Sequence, residues 1–242
     1  MKSALKKMAE NFVPPIFMRV LKKIHYGRFM AKDGLDRKMQ KYLNYNNGFY
    51  VELGANNGFI QSNTYYYEKH KNWKGVLIEP ALNKYLECIA NRSEKNFIFC
   101  AACVSFNYKE QFVPIAYSDF MSSPLNIDSD IENPLEHARG GEQYLKRNES
   151  VFVFGAKAET LNSLLKRANA PSSIDFLSLD VEGGELEVLS GIDHNTFRFK
   201  YMLIECRDFE RMNSFLSGFN YSFVEKLSRH DYLFKDNKDC GI

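Results

Sequence analysis

From residue 49 onward, short apolar runs alternate with segments in which apolar residues recur at helical spacing. Apolar runs rich in β-branched and aromatic residues predict buried strands, and their alternation with helices predicts βαβ units in a parallel sheet. After residue 208 a helix is followed by two alternating strands, which predicts a terminal antiparallel hairpin. We therefore predict an α/β domain with a mostly parallel sheet. The predicted strands span residues 49–53, 75–78, 97–101, 151–154, 174–179, 201–204, 221–226 and 232–234, and the predicted helices begin at Ser62 or Asn63 and span 81–91, 160–168 and 209–215.

Residues 105–150 interrupt this alternation with polar, turn-rich sequence. They contain a predicted strand at 112–116 and a short predicted helix around 135–137. A segment of this length inside a domain is typically a lid, a substrate-binding insertion or a disordered loop. We interpret it as a substrate lid in which Arg139 contacts the substrate and the Gly140–Gly141 pair acts as a hinge. A disordered loop is the alternative.

A glycine turn, Gly54 to Gly58, follows the first predicted strand. Its spacing is G-x-x-x-G, whereas a dinucleotide site uses G-x-G-x-x-G, so a dinucleotide-dependent oxidoreductase is disfavoured. Glu52 stands two residues before the turn, where a carboxylate suits a ligand that carries an ammonium group. Glu79 ends the second strand, where such folds place the acid that binds ribose hydroxyls. S-adenosylmethionine carries both an ammonium group and a ribose.

Three further acids follow later strands of the predicted sheet. Asp180 and Glu182 come directly after the strand at 174–179, and Glu205 ends the strand at 201–204. Carboxylates that converge at one sheet edge disfavour one another's charged form, which suits a general base, or they bind a divalent cation such as magnesium. Glu185 is interpreted as an acid that stabilises the start of the next helix. His194 and His230 are alternative bases.

Charge is spread unevenly along the chain. Residues 1–41 carry eleven Lys or Arg against three Asp or Glu, which gives +8 in a chain whose net charge is +2. We predict a basic helical leader at 1–45, which packs on the sheet as a helical cap, or else contacts the inner face of an anionic membrane or a partner enzyme. Its apolar residues form no run long enough for a signal peptide or a membrane span, so a cytoplasmic protein is expected. No nucleic-acid partner is expected, because the remainder is acidic.

The cysteines fit a reducing compartment. There are five of them, and the lone C-x-x-C pair, Cys100 and Cys103, has no second pair to complete a zinc site. Buried free thiols are therefore expected.

Several segments resemble the FkbM family of S-adenosylmethionine-dependent methyltransferases. These are VELGANNGFIQSNT at 51–64, GVLIEP at 75–80, AETLNSLL at 158–165 and IDFLSLDVEGGELEVLSG at 174–191, together with the C-terminal GFNYSFVEK and YLFK. The segment at 174–191 is the most specific, because it is similar to the family's Asp-x-Glu-Gly signature. The resemblance implies a Rossmann-like class I methyltransferase fold at 46–242, with a seven-stranded, mostly parallel sheet and a C-terminal antiparallel hairpin. It also implies O-methyl transfer, in bacteria often to sugars of capsules or lipopolysaccharides.

On this resemblance we expect an S-adenosylmethionine-dependent O-methyltransferase that acts on a hydroxyl of a sugar nucleotide or glycan precursor in bacterial surface polysaccharide biosynthesis. The alternative is a non-catalytic scaffold of a polysaccharide assembly complex that keeps the cofactor fold. The expected cofactor contacts are Glu52, Gly54, Ala55, Asn57, Gly58, Ser62, Asn63, Glu79, Pro80, Ala102 and Asp180. The expected catalytic residues, which are also the expected ligands of a cation, are Asp180, Glu182 and Glu205, and the expected acceptor contacts are Arg139 and Arg207.

Overall fold

A seven-stranded sheet forms the centre of the structure, a computed structural model that describes residues 28–146 and 149–238. Its strands are β1 (Phe49–Leu53), β2 (Lys74–Ile78), β3 (Phe97–Phe99), β8 (Ser173–Leu179), β9 (Arg198–Glu205), β10 (Tyr221–Lys226) and β11 (Asp231–Asp236). The strand order is β10-β11-β9-β8-β1-β2-β3. Five adjacent strands, β3, β2, β1, β8 and β9, are parallel to one another, and β11 runs antiparallel to both of its neighbours, β9 and β10. The predicted α/β fold with a large, mostly parallel sheet is confirmed.

Helices cover both faces of this sheet. They are α1 (Leu35–Met39), α2 (Tyr65–Lys71), α3 (Leu82–Asn91), α5 (Leu161–Arg167), α6 (Glu185–Leu189) and α7 (Phe209–Gly218), with α4 (Pro134–Gly140) in the insertion. Successive strand residues point to opposite faces. Val51 and Leu53 accordingly pack in the core beneath α5, α6 and α7, whereas Tyr50 packs in the core beneath α1, α2 and α3. Both faces of the central strands are therefore buried, as their continuous apolar runs require.

The predicted insertion is folded and belongs to a second, four-stranded sheet. This sheet contains β4 (Ala102–Cys103), β5 (Phe112–Tyr117), β6 (Ser123–Pro124) and β7 (Phe152–Glu159), in the order β4-β7-β5-β6. We predicted that the strand at 151–154 resumes the central sheet, and this is wrong, because β7 pairs antiparallel with β5. Periodicity identifies a strand but not its partner. The exposed side chains of Phe152 and Val153 also differ from those of a central parallel strand.

The described part of the predicted leader, residues 28–45, packs into the same core as the rest of the domain. Leu35, Met39 and Leu43 are buried in the core beneath α1, α2 and α3. Asp36 is fully buried, and its Oδ2 accepts hydrogen bonds from the backbone N–H groups of Met30 and Ala31. Residues 28–45 are therefore a helical cap on the sheet. Residues 1–27, the remainder of the predicted leader, lie outside the described residues, so the predicted membrane contact stays a prediction.

Four cysteines lie within the described ranges and all are free thiols: Cys88, Cys103 and Cys206 are buried, and Cys100 is half-buried. Cys240 lies outside those ranges. Burial raises the pKa of Cys103 and Cys206 above that of an ordinary thiol. Across residues 28–146 and 149–238, no helix combines the length and apolar character that crossing a bilayer requires.

Candidate functional site

A cavity of about 250 Å³ opens at the carboxyl edge of the large sheet. This is the edge at which open α/β sheets bind ligands. Gly54, Glu79, Asp180 and Glu205 line it from the ends of β1, β2, β8 and β9, and the insertion and Lys32 complete its wall. Of the predicted cofactor contacts, Glu52, Gly54, Ala55, Ser62, Asn63, Glu79, Pro80, Ala102 and Asp180 line the cavity, whereas Asn57 and Gly58 do not. Of the predicted acceptor-side residues, Asp180, Glu182, Glu205 and Arg207 line it, whereas Arg139 does not.

Gly54 and Gly58 of the glycine turn lie in close contact with other segments of the protein, which leaves no room for a side chain. Gly54 has φ 71°, and a Cβ atom there would lie 1.8 Å from the carbonyl oxygen of Asp180, so only glycine lets β1 turn beside the end of β8. Gly58 has φ 70° and packs against Cys88 and Arg92. The side chain of Asn57 faces its own turn, because its Oδ1 accepts from the N–H groups of Phe59 and Ile60. Asn57 and Gly58 therefore shape the turn without reaching the cavity.

Glu52 is bound by protein donors on both carboxylate oxygens. Oε1 accepts from Ser62 Oγ and the Asn63 N–H, and Oε2 accepts from Thr64 Oγ1 at 2.6 Å. A salt bridge of 2.8 Å joins Oε2 to Arg92 Nη2. The negative charge of Glu52 is therefore already compensated inside the protein, and its carboxylate holds residues 62–64 against β1.

Arg92 is the centre of this buried network, and its side chain is 0% exposed. Besides Glu52, it pairs with Glu68 at 3.0 Å and donates to the backbone oxygen of Gly58 at 2.5 Å. Sequence reasoning did not identify Arg92, because a single arginine after a helix is ordinary and its acidic partners stand 40 and 24 positions earlier. Arg92 thereby connects α2, α3 and the turn that forms one wall of the cavity.

Glu79 lies at the cavity wall at the end of β2 and is buried. Its oxygens accept from the backbone N–H groups of Asn56 at 2.8 Å and Ala81 at 2.9 Å. Burial raises the pKa of Glu79 to about 7, against the opposing effect of these two hydrogen bonds. Each oxygen has one backbone donor, so each retains the capacity to accept from a second donor such as a ribose hydroxyl.

The three acids predicted for the acceptor side converge. Carboxylate oxygens of Asp180, Glu182 and Glu205 lie within 4.8 Å of one another. Burial, the negative charges of Glu205 and Glu182, and a hydrogen bond with Glu205 raise the pKa of Asp180 well above its ordinary value. Oδ1 of Asp180 is buried and has no hydrogen-bond partner among the described residues. A buried acceptor without a partner in a cavity wall makes Asp180 a candidate functional residue.

Glu182 is held by two side chains that come from different parts of the fold. His137 Nε2 lies 2.7 Å from Glu182 Oε2, and Arg207 Nη2 donates to the same oxygen at 3.2 Å. Because a carboxylate oxygen accepts, Nε2 carries the hydrogen of the first bond. The backbone of Glu182 has φ 55°, a left-handed conformation that is costly for a non-glycine residue and clusters at functional sites. His137 was not identified from the sequence, since only the folded insertion brings it to the cavity.

Arg139 and the glycine pair beside it do not have the predicted placement. Arg139 forms an exposed salt bridge with Glu136 at 2.6 Å. A Cβ atom on Gly141 would lie 2.2 Å from Ser118 Oγ, so Gly141 sits at a packed contact and is unsuited to act as a hinge. Helical spacing explains why Arg139 does not line the cavity although His137 does, because residues two positions apart point to different sides of a helix. His137 faces the cavity from α4, and Arg139 faces solvent.

The second glycine pair, Gly183 and Gly184, packs against side chains of the insertion. A Cβ atom on Gly183 would lie 2.4 Å from Ser129 Oγ, and one on Gly184 would lie 2.8 Å from Ile127 Cδ1. Asp130 reinforces the contact, because its Oδ2 accepts from the N–H of Arg207 at 2.6 Å. Because these glycines have no side chain, the insertion can pack closely beside the acid cluster.

The remaining sequence candidates lie apart from the cavity wall. Glu185 is buried and accepts from the N–H groups of Val181 and Gly183, so it closes the turn that begins α6, close to its predicted structural role. His194 is buried beside Phe219, with ring centroids 4.2 Å apart, and burial lowers its pKa to about 4. Neither His194 nor His230 lines the cavity.

The spacing of the acid cluster and its oxygen-only ligands would suit magnesium, calcium or manganese, but the surrounding charges fit a divalent cation poorly. Oε2 of Glu182 already accepts from His137 and Arg207, and the Arg207 guanidinium adds a positive charge beside the cluster. The protein itself thus supplies part of the countercharge that a cation would bring, and we derive no chemical step through a metal.

Comparison with known proteins agrees with this arrangement of a sheet-edge cavity lined by strand-end acids. A family model described as the methyltransferase FkbM domain matches residues 52–233. That span runs from Glu52 at the cavity to Leu233 in β11, and it contains the insertion, Glu79, Asp180, Glu182 and Glu205. A search of curated proteins finds no match for this sequence. Because the family model covers most of the chain, the protein belongs to the FkbM methyltransferase family.

Proposed function

We propose that this protein is an S-adenosylmethionine-dependent O-methyltransferase whose acceptor is a sugar hydroxyl of a sugar nucleotide or glycan precursor. The observation that carries the proposal is that one cavity is lined both by Glu79 and by the cluster around Asp180. Glu79 suits the nucleoside part of a cofactor, and Asp180 suits a hydroxyl that must lose a proton. A surface polysaccharide is the acceptor class implied by the family resemblance.

The cofactor residues are assigned from their remaining hydrogen-bonding capacity. Glu79 retains acceptor capacity on both oxygens and is assigned to the ribose hydroxyls. Asn63 lines the cavity, and its buried Oδ1 has no partner in the described part of the chain, so it is assigned to the ammonium group. Glu52, our first candidate for that group, is instead assigned to holding residues 62–64, because Arg92 already neutralises it. When bound, S-adenosylmethionine supplies a methyl group that is activated by its sulfonium charge.

On the acceptor side, the chain must orient a hydroxyl group and remove its proton. A sugar hydroxyl is a weak acid, and a general base works best when its pKa lies near the working pH. The pKa of Asp180 is raised in that direction by burial and by Glu205, and its Oδ1 is the orphaned acceptor. We therefore assign Asp180 as the base and Glu205 as the neighbouring acid that keeps the pKa of Asp180 raised. Glu182, fixed by His137 and Arg207, is assigned to position the acceptor.

The test uses labelled S-adenosylmethionine with purified protein and the host's sugar nucleotides and glycan extracts. Transfer of label to a saccharide supports the proposal, and Asp180→Asn should lower turnover by about 10²–10⁴ while affinity for S-adenosylhomocysteine stays near wild type. The matched control is Asp128→Asn, an exposed acid paired with Arg211, which should leave turnover unchanged. Normal turnover by Asp180→Asn at saturating acceptor would remove this residue from the chemistry.

Two further outcomes separate the alternatives. Activity that is lost on chelation and restored by magnesium would overturn the cation-free assignment. Cofactor binding without turnover on any acceptor would favour a scaffold that retains its binding cavity.

We also propose that residues 1–27 contact the inner face of a membrane. Their sequence, with six basic residues and one acidic residue, is what supports this proposal. A truncation should stop at residue 27, because Met30 and Leu35 are core residues and Lys32 lines the cavity. Removal of residues 1–27 should preserve cofactor binding and reduce co-sedimentation with anionic lipid vesicles. Equal co-sedimentation of the full chain and the truncated chain would contradict a membrane role.

A further inference from the structure

Beyond Glu79, the part of the cavity that would hold the base lacks polar side chains from the large sheet. If Glu79 binds the ribose, the sheet order places the base farther along, toward β3. The residues that line the cavity after β3 are Ala101, Ala102 and Cys103. None of them carries a hydroxyl, carboxyl or amide side chain, so polar recognition at this end has to come from another segment.

The insertion supplies Asp119 to this end of the cavity. Asp119 lines the cavity and has φ 55°, a left-handed conformation that is costly for a non-glycine residue. Its Oδ1 accepts from Asn56 Nδ2 at 2.9 Å and forms a 2.8 Å salt bridge with Lys84 Nζ. The side chains of Lys84 and Asp119 are only 8% and 13% exposed, so this contact is largely shielded from water.

Asp119 also lies close to the residue assigned to the ribose. Asn56 donates its side-chain N–H to Asp119 and its backbone N–H to Glu79, so a single residue bridges the two carboxylates. The negative charge of Asp119 is among the influences that raise the pKa of Glu79, with burial as the largest. The hydrogen bonds of Asp119 fall on Oδ1, and within residues 28–146 and 149–238 its Oδ2 accepts none.

We propose that Asp119 is a cofactor-binding residue that accepts a hydrogen bond from the adenosine part of the cofactor. This inference rests on the proposed function. Lys84 and Asn56 fix Oδ1, which leaves Oδ2 for a ligand hydroxyl or amino group. Because Asp119 belongs to the insertion, the same contact would link the insertion to the bound cofactor and reduce the local opening of residues 118–145.

The experiment measures binding of S-adenosylhomocysteine by calorimetry and hydrogen exchange of residues 118–145 with and without that ligand. Asp119→Asn keeps an oxygen for Lys84 and Asn56 but replaces the second acceptor by an N–H₂ donor. It should weaken S-adenosylhomocysteine and adenosine binding about tenfold or more, and should leave methionine binding unchanged. Asp128→Asn lies in the same insertion but does not line the cavity, and it should bind like wild type.

Wild-type protein provides a test that does not depend on whether a variant folds. Exchange in residues 118–145 should slow when S-adenosylhomocysteine binds. Unchanged exchange there, or equal affinity of wild type and a folded Asp119→Asn, would overturn the role of Asp119 and leave the proposed function intact. Failure of wild type to bind S-adenosylhomocysteine at all would overturn the proposed function as well.

Discussion

Replacement of Arg92 by methionine should strongly destabilise the fold, because it leaves the buried Glu52 without its cation and leaves Glu68 with only Lys69. The guanidinium is fully buried and pairs with Glu52 and Glu68, whose side chains are 5% and 3% exposed. Methionine fills much of the same volume, so the loss is mainly electrostatic. Breaking a buried ion pair from one side typically costs about 3–5 kcal/mol, and most of this cost should come from Glu52, because Glu68 also pairs with Lys69.

The expected cost is large relative to total stability. A domain is typically stable by about 5–15 kcal/mol, so Arg92→Met should remove a large share of it. With a urea m-value of about 3 kcal/mol/M, the midpoint of unfolding at pH 7 should fall by roughly 1–2 M. The S-adenosylhomocysteine affinity of the variant should also fall, because Arg92 holds the carbonyl of Gly58 and, through Glu52, residues 62–64.

The control is Arg167→Met, which breaks a salt bridge between Glu159 and an arginine side chain that is 51% exposed. An exposed pair contributes about 0–1 kcal/mol, so this midpoint should shift by no more than about 0.3 M. Addition of Glu52→Gln and Glu68→Gln to Arg92→Met should recover part of the lost stability, because the neutral amides need no buried cation. An Arg92→Met midpoint as close to wild type as that of Arg167→Met would refute the reasoning.

The remaining predictions concern other parts of the fold. Burial lowers the pKa of His194 from 6.5 to about 4, so stability is fully present above pH 6.5 and falls as the pH drops toward 4. The loss between pH 7 and pH 5 should be about 2 kcal/mol in urea unfolding, and His194→Gln should flatten this slope. Gly183→Ala should destabilise the protein by about 1–3 kcal/mol and speed proteolysis near residue 129, because its Cβ atom would lie 2.4 Å from Ser129 Oγ. His137→Gln should raise the acceptor KM more than it changes S-adenosylhomocysteine affinity, and an equal effect on both would contradict its acceptor-side placement. Arg139→Ala should leave kinetics unchanged and stability within about 0.5 kcal/mol, since its only described salt bridge is exposed.

The sequence by itself determined the central βαβ pattern and the edge at which the site lies. Strand and helix periods are local properties, and the carboxyl ends of parallel strands meet at one edge of a sheet. Glu79, Asp180 and Glu205 could therefore be placed at the cavity from their positions alone. The same locality explains the error at β7, because a strand's period does not specify whether its partner is in the central sheet or in the insertion.

Only the tertiary structure decided which groups face one another across the cavity. Glu182 is joined to His137 across 45 positions, Asn56 to Asp119 across 63 and Glu52 to Arg92 across 40. His137 and Asp119 come from the insertion and Arg92 directly follows α3, and no local pattern marks them. The structure also changed the roles assigned to residues whose positions the sequence had predicted. Arg92 neutralises Glu52, and the insertion occupies the space beside Gly183 that was predicted for a ligand. Hydrogen bonds and charge compensation depend on distances of a few ångströms, which the chain acquires only when its distant segments pack together.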